Sequence, residues 1–358
     1  MKILSVVGAR PQFIKAHPVH LALKGRFTHT IVHTGQHYDL EMSKIFFDEL
    51  GIPEPHYNLE VGSGPHGMQT GRMLQRVEKV LMEERPDAVV VYGDTNSTLA
   101  GALAAVKLHI PLAHVEAGLR SYDRRMPEEI NRVVSDHLST ILFAPTKTAV
   151  DNLKKEGIEE GVYLVGDVMV DALYLHREVA RRNGILRDLG LEEKNYLLVT
   201  VHRASNTDER ERLVAIVDAL IESGERVVFP VHPRTREAMK RYDLLERLEG
   251  AEEVEVIPPV GYIEFLRLIE GARKVLTDSG GVQKEAYILG VPCITLRDTT
   301  EWAETVKDGW NILVGAEKEK ILKAIESFNP EGSRGEVFGD GKASERIADV
   351  LEDYLSRR

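Results

Sequence analysis

The chain has 358 residues, 43% of them hydrophobic, enough to bury two ordinary cores, and the usual domain size favours two domains over one. A formal charge of -11 argues against nucleic acid or an anionic membrane as the main partner, while local basic pockets for phosphate remain compatible with it. The single cysteine, Cys293 inside an apolar run, excludes an intramolecular disulfide and suits a reducing compartment.

The first apolar run, residues 3–9, is too short to cross a membrane and leads into Arg10-Pro11-Gln12 without a cleavage pattern, so a cytoplasmic protein is expected. Strand-like runs at 2–7, 30–33, 88–92, 112–115, 141–144 and 163–165 alternate with amphipathic helical stretches, the pattern of a parallel sheet covered on both faces. After a helix expected over 168–182 the pattern restarts at 196–201, 226–231, 254–257, 274–277 and 293–296, with helices such as 208–223 between. The fold class is therefore α/β, with two Rossmann-like domains, each a parallel sheet covered by helices. No linker rich in Gly, Ser or Pro marks the boundary, which is placed near Gly166-Asp167, giving domains 1–166 and 167–342. A last helix from Ala343 carries Ile347, Val350, Leu351 and Tyr354, which need a surface to cover, so 343–358 is expected to pack back on the first domain.

Ligands of such sheets sit outside the carboxyl ends of strands, and five strand ends hold glycine or ionisable groups. They are Gly8-Ala9-Arg10-Pro11-Gln12, Gly93-Asp94-Thr95-Asn96, His114-Val115-Glu116-Ala117-Gly118-Leu119-Arg120, Val201-His202-Arg203, and Thr277-Asp278-Ser279-Gly280-Gly281. The last reads as a phosphate cradle: two glycines at a helix start let a pyrophosphate approach unpaired N–H groups at the positive end of the dipole. Ser279 adds a hydroxyl, and Glu285, about one turn into the helix, is placed to take ribose hydroxyls. A tight turn with an N-cap is the plainer account of the same four residues.

The other ends carry similar pairs of readings. Asp94 is either an N-cap or a site carboxylate, whereas Glu116 precedes a glycine turn with no helix to cap at once, which favours function. Pro127-Glu128-Glu129-Ile130-Asn131-Arg132 is a helix first turn in which Glu128 and Arg132 are spaced for an ordinary surface salt bridge. Arg10 and Lys15 flank the first helix as cations for an anionic ligand, and His202 could hold a pyrophosphate or give a proton to a leaving phosphate. Gly62-Ser63-Gly64-Pro65-His66-Gly67 matches the dinucleotide pattern, but Pro65 removes a needed N–H and Asp87 precedes a strand instead of ending one. It is a glycine loop, not an NAD site, and neither a metal nor another cofactor is called for.

Taken in order, Gly8-Ala9-Arg10-Pro11 with Lys15, Tyr92-Gly93-Asp94-Thr95, the run 114–120, Pro127-Glu128-Glu129 with Asn131-Arg132, His202-Arg203 and 277–281 with Glu285 carry a resemblance over nearly the whole chain. The chain resembles the non-hydrolysing UDP-N-acetylglucosamine 2-epimerases. The resemblance implies a glycosyltransferase-B arrangement with the active site in the interdomain cleft, and usually a homodimer. It implies reversible C2 epimerisation of UDP-N-acetylglucosamine to UDP-N-acetylmannosamine, by anti elimination of UDP to a glycal and re-addition. Asp94, Glu116, Glu128 and His202 then match the catalytic positions, and Arg10, Lys15, Arg132, Phe265, Ser279, Gly280, Gly281 and Glu285 those that bind UDP and substrate. Gln36 and His37 match an effector region where the family binds a second substrate molecule, but Met68 and Asp39 stand where Arg and Gln are expected. Thr300-Glu301-Trp302-Ala303-Glu304 departs from the family's Thr-Glu-Arg-Pro-Glu, which leaves room for a UDP-diacetamido-uronic acid as the sugar. A glycosyltransferase of the same architecture is the other alternative, against which the three carboxylates argue.

Overall fold

In the first half, the Val-, Ile- and Leu-rich runs between glycine turns become strands whose central members are buried on both faces. They are β1 (Lys2–Val7), β2 (Thr28–His33), β3 (Tyr57–Asn58), β4 (Ala88–Tyr92), β5 (Leu112–Val115), β6 (Ile141–Ala144) and β7 (Val162–Leu164). The computed structural model describes residues 1–36 and 50–358, and of Arg10 only the backbone. All pairings in this sheet are parallel, in the order β3-β2-β1-β4-β5-β6-β7. On one face Leu4, Val6, Val32, Val89 and Val91 meet Val77, Val80 and Leu81 of the helix His66–Glu84. Each fully buried aliphatic side chain of this kind is worth roughly 1.5–3 kcal/mol.

The second half repeats the design with β8 (Leu197–Thr200), β9 (Val227–Pro230), β10 (Val254–Ile257), β11 (Lys274–Thr277), β12 (Cys293–Thr295) and β13 (Asn311–Leu313). Its sheet is also parallel, ordered β10-β9-β8-β11-β12-β13, with a core on each face. Cys293 is a free, buried thiol in it. The two strands that the sequence does not announce, β3 and β13, are two and three residues long, too short for a periodic signal. The helix expected over 208–223 runs Arg210–Glu222, preceded by a separate short helix, Ala204–Thr207.

Two compact units result, Met1–Leu175 with Glu336–Arg358, and His176–Gly335. Residues 167–175 stay with the first because Asp171 accepts from Ala343 N at 3.2 Å, Ser344 N at 2.7 Å and Ser344 Oγ at 2.5 Å. These bonds tie the start of the helix Val168–Arg182 to the helix Ala343–Ser356, which in turn packs on the helix Arg10–Leu23. Among the described residues no helix is long and apolar enough to cross a membrane.

Strand order reverses between β1 and β4 in one sheet and between β8 and β11 in the other. At such a point neighbouring loops leave in opposite directions and open a crevice, which is where open α/β sheets bind ligands. Those four strands lead directly into Gly8, Gly93, Val201 and Asp278, so both reversals fall on motifs singled out above.

Candidate active site

In the first unit β1 turns through Gly8 and Ala9 into the helix Arg10–Leu23. A Cβ on Gly8 would collide with the hydroxyls of Ser97 and Thr34, so this close approach requires glycine. Gln12 clamps the turn: its Oε1 accepts from Gly8 N at 2.8 Å and Ala9 N at 3.1 Å, and its Nε2 donates to the Tyr92 carbonyl at 2.7 Å. The ends of β1 and β4 are thereby tied together. The side chain of Arg10 lies outside the described residues.

Lys15 projects to the end of β5, where its ammonium pairs with the Glu116 carboxylate. Glu116 has φ +73°, a left-handed backbone costing a residue with a side chain on the order of 1–3 kcal/mol, and such strain persists only where surroundings enforce it. Gly93 follows β4 with φ +60°, and a Cβ there would lie 3.4 Å from Glu116 Oε2 and 3.5 Å from Lys15 Nζ. The ends of β4 and β5 thus converge on one ion pair.

Asp94 does not cap the following helix. Thr95 does, its hydroxyl accepting from Thr98 N at 3.4 Å, because the helix Asn96–Lys107 starts one residue later than a cap at Asp94 requires. The Asp94 carboxylate instead pairs with Arg132, and Asn131 Nδ2 donates to the Asp94 carbonyl at 3.0 Å. Arg132 also binds Glu129 at 2.9 Å, so it is Glu129, not the exposed Glu128, that shares its helix-face ion pair. Glu129 is buried, which alone would raise its pKa. Donors from Ser121 and Tyr122 and the Arg132 charge outweigh that and hold it below the usual carboxylate range.

Gln36 is engaged within this unit, its Oε1 accepting from Ser97 N at 3.2 Å and Ser97 Oγ at 2.7 Å. His37 and Asp39 lie outside the described residues, and Met68 is exposed.

In the second unit β8 ends at Thr200 and β11 at Thr277. Asp278 is fully buried and holds the two ends together: its carboxylate accepts from His202 N at 3.1 Å, Arg203 N at 3.0 Å and Asn206 Nδ2 at 3.1 Å, and His202 Nδ1 lies 3.2 Å away. Burial opposes its ionisation, but His202 and these donors prevail and keep its pKa low. Ser279 caps the helix Gly280–Leu289, accepting from Val282 N at 3.5 Å. The helix therefore does begin with a capping serine, as the plainer account had it, and it offers its first amides to an anion as well.

A Cβ on Gly280 would overlap the Glu301 carboxylate and approach Trp302 Nε1 at 3.3 Å, whereas one on Gly281 would meet only Ser279 Oγ at 3.8 Å. Glu301 pairs with Arg297 at 2.9 Å and faces Arg203 at 3.7 Å. These charges keep it ionised against the cost of burial. Trp302 is buried with Lys284 Nζ 4.2 Å from its ring centroid, so it receives a cation there. Glu285 is buried in the same helix, and desolvation pushes its pKa up to about 7 against the opposing charge of Lys284. Phe265 is partly buried against the core beside β8.

Sequence reasoning passed over Gln12, Glu129, Asp136, Arg297 and Glu301 as site-building groups. A signal for two of them was present: Glu129, Arg132 and Asp136 recur at helical spacing after Pro127, marking one charged face of the helix Pro127–Leu138, and all three are buried. Among the described residues no cluster of three or more His, Cys, Asp or Glu side chains is arranged to hold a metal.

A family model described as UDP-N-acetylglucosamine 2-epimerase matches residues 20–352. The chain belongs to that family. This epimerase is 57% identical over 99% of its length to a UDP-N-acetylglucosamine 2-epimerase homolog of Methanococcus maripaludis, all of which is covered. It is 51% identical over 98% of its length to the UDP-2,3-diacetamido-2,3-dideoxy-D-glucuronate 2-epimerase of Pseudomonas aeruginosa, 99% of which is covered. A solved UDP-GlcNAc 2-epimerase of Methanocaldococcus jannaschii, in complex with UDP-GlcNAc and UDP, matches with a TM-score of 0.90 at 50% identity, over 98% of this chain and 99% of that one. The epimerase accordingly has the two-Rossmann fold class expected from its strand pattern.

Proposed function

We propose that the chain interconverts UDP-N-acetylglucosamine and UDP-N-acetylmannosamine by inverting C2. The observation that carries this reading is the pair of carboxylates at adjacent strand ends of one sheet: Asp94 held by Arg132, and Glu116 held by Lys15 on a left-handed backbone. A nucleotide-sugar binder has no need of them.

The C2 hydrogen is not next to a carbonyl, so direct removal would leave an unstabilised carbanion. In the proposed route a carboxylate takes the C2 proton while the C1–O bond breaks anti to it, and UDP departs with the bonding electrons to leave a C1–C2 double bond. A proton then returns to the opposite face of C2 as a UDP oxygen re-adds to C1. The departing diphosphate is stabilised by the amides at the start of the helix Gly280–Leu289, Ser279, His202 and Arg10, with Glu285 on the ribose and Phe265 and Arg132 completing the binding set. Asp94, Glu116 and Glu128 supply the acid and base groups. UDP must stay bound between the two half-reactions. The enzyme is further proposed to work as a homodimer in the cytoplasm.

Incubation with UDP-N-acetylglucosamine in heavy water, followed at C2 by NMR, tests the reading. Deuterium at C2 together with the manno epimer is expected, and absence of both would refute it for this sugar. The 51% identity to the Pseudomonas aeruginosa enzyme and the buried Trp302 favour a second reading, a UDP-diacetamido-uronic acid as substrate. The same experiment with that sugar decides between them.

A further inference from the structure

We propose that His114 and Asp136 are positioning residues that lock the Asp94 turn and the Glu116 turn to each other. The catalytic consequence of this rests on the acid/base reading of those two carboxylates. His114 lies within β5 and is fully buried. Its Nε2 is 2.7 Å from the Gly93 carbonyl oxygen, and its Nδ1 is 2.7 Å from Asp136 Oδ1. Both partners are oxygen acceptors, so the ring satisfies them only by donating from both nitrogens. A singly protonated ring would aim a lone pair at an oxygen in a fully buried site.

Asp136 carries the connection onward. Its Oδ2 accepts from Gly118 N at 3.1 Å and from Arg120 Nη1 at 2.7 Å. One unbroken path therefore runs from the carbonyl preceding Asp94, through the imidazole and the carboxylate, to the amide two residues past Glu116. Gly93 at +60° and Gly118 at +83° take left-handed backbones without steric cost, whereas Glu116 at +73° persists there only where surrounding bonds over-determine it. The path supplies such a bond at Gly118, two residues past Glu116, and anchors the Gly93 turn through its carbonyl. Asp136 is protected as a buried anion: burial opposes its charge, but His114 and Arg120 overcome it, and Arg120 is itself fixed by two 2.7 Å bonds to Glu156. Neither residue of the path is needed to touch substrate. Its role is to keep two carboxylates at one spacing, and a misplacement of about 1 Å typically costs on the order of a hundredfold in rate.

Asp136→Asn tests the path with little change of shape. An amide has one accepting oxygen, so it can serve His114 or the Gly118 and Arg120 donors, not both. Amides 93–96 and 117–120 are expected to exchange hydrogen faster together in this variant, while those of the helix Gly280–Leu289 are unchanged. Turnover is expected to fall about a hundredfold, with KM and UDP affinity held within about threefold. Histidine-selective 15N NMR of the unaltered protein should show hydrogens on both ring nitrogens of His114, a readout that needs no variant to fold. One bare ring nitrogen, or faster exchange at only one turn, overturns the path. Coupled exchange with normal turnover overturns its catalytic consequence. A wild-type enzyme inactive on both sugars would refute the function proposed above, and the exchange and NMR results would still decide the path.

Discussion

At the ends of β4 and β5 two carboxylates each face a cation, Glu116 facing Lys15 and Asp94 facing Arg132, which Glu129 shares, and the backbone between is bent into left-handed turns. At the end of β11 the Asp278 carboxylate is consumed internally by His202, Arg203 and Asn206, and the helix start that follows has Gly280 buried against Glu301 and Gly281 exposed. The two regions occupy comparable places, each at or one strand beyond the strand-order reversal of a parallel sheet. They differ in what they leave available. Paired side-chain charges suit proton transfer, since a carboxylate beside a cation stays ionised and can be aimed. Backbone amides at a helix start suit a diphosphate, which needs several donors and no proton chemistry.

The strongest way to break this comparison is Asp94→Asn. Loss of a general acid or base typically costs about a hundred- to ten-thousandfold, so turnover should drop by that order while UDP binding, measured by calorimetry, holds. Near-normal turnover would remove Asp94 from the chemistry.

Glu285→Gln probes the opposite region through pH. The buried carboxyl titrates at about 7 against an ordinary 4.5. Between those values the folded chain keeps a proton that the unfolded chain has lost. Stability contributed by this group is therefore complete below about pH 4.5 and declines until about pH 7, by about 3 kcal/mol if the shift is wholly expressed. Glutamine has no proton to lose. Urea titrations should show the variant gaining on the wild type from pH 5 to pH 7.5, and parallel curves would mean that Glu285 is ionised throughout.

Gly280→Ala and Gly281→Ala sharpen the comparison inside the cradle. Overpacking of about 1–3 kcal/mol is expected at position 280, where the Glu301 carboxylate blocks a methyl group, and far less at 281. UDP affinity should fall roughly tenfold or more in the first and less in the second. Equal losses would show that Glu301 yields readily. The smallest effect belongs to Thr95→Ala, which removes a cap worth about 1 kcal/mol, read as a lower Tm.

Much of this molecule could be read from the chain because its signals are local. The runs 88–92, 112–115, 141–144, 254–257 and 274–277 are short, apolar and bounded by turns, and each coincides with a strand. Ser279 is legible as a cap because capping is decided within three residues. Arg132 was harder, since its spacing suits Glu128 and Glu129 alike. Only packing settles which of these faces inward, and Glu129 does, with Asp94 reached from a different strand. The crowding of Gly280 by Glu301 and Trp302 was hidden for the same reason, the partners being some twenty residues away in the chain.

The sequence by itself determined the order of the longer elements, the parallel class of both sheets, the glycine-led helix start at Gly280, the carboxylates at strand ends and, through several motifs in order, the family. Periodicity, turn chemistry and capping act over a few residues and leave their mark in composition. The tertiary structure alone decided which charge answers which: Lys15 to Glu116, Arg132 to Asp94 and Glu129, Asp278 to the end of β8, and His114 to both Gly93 and Asp136. Coulomb and hydrogen-bond energies depend on distance and burial, and both are properties of the packed fold.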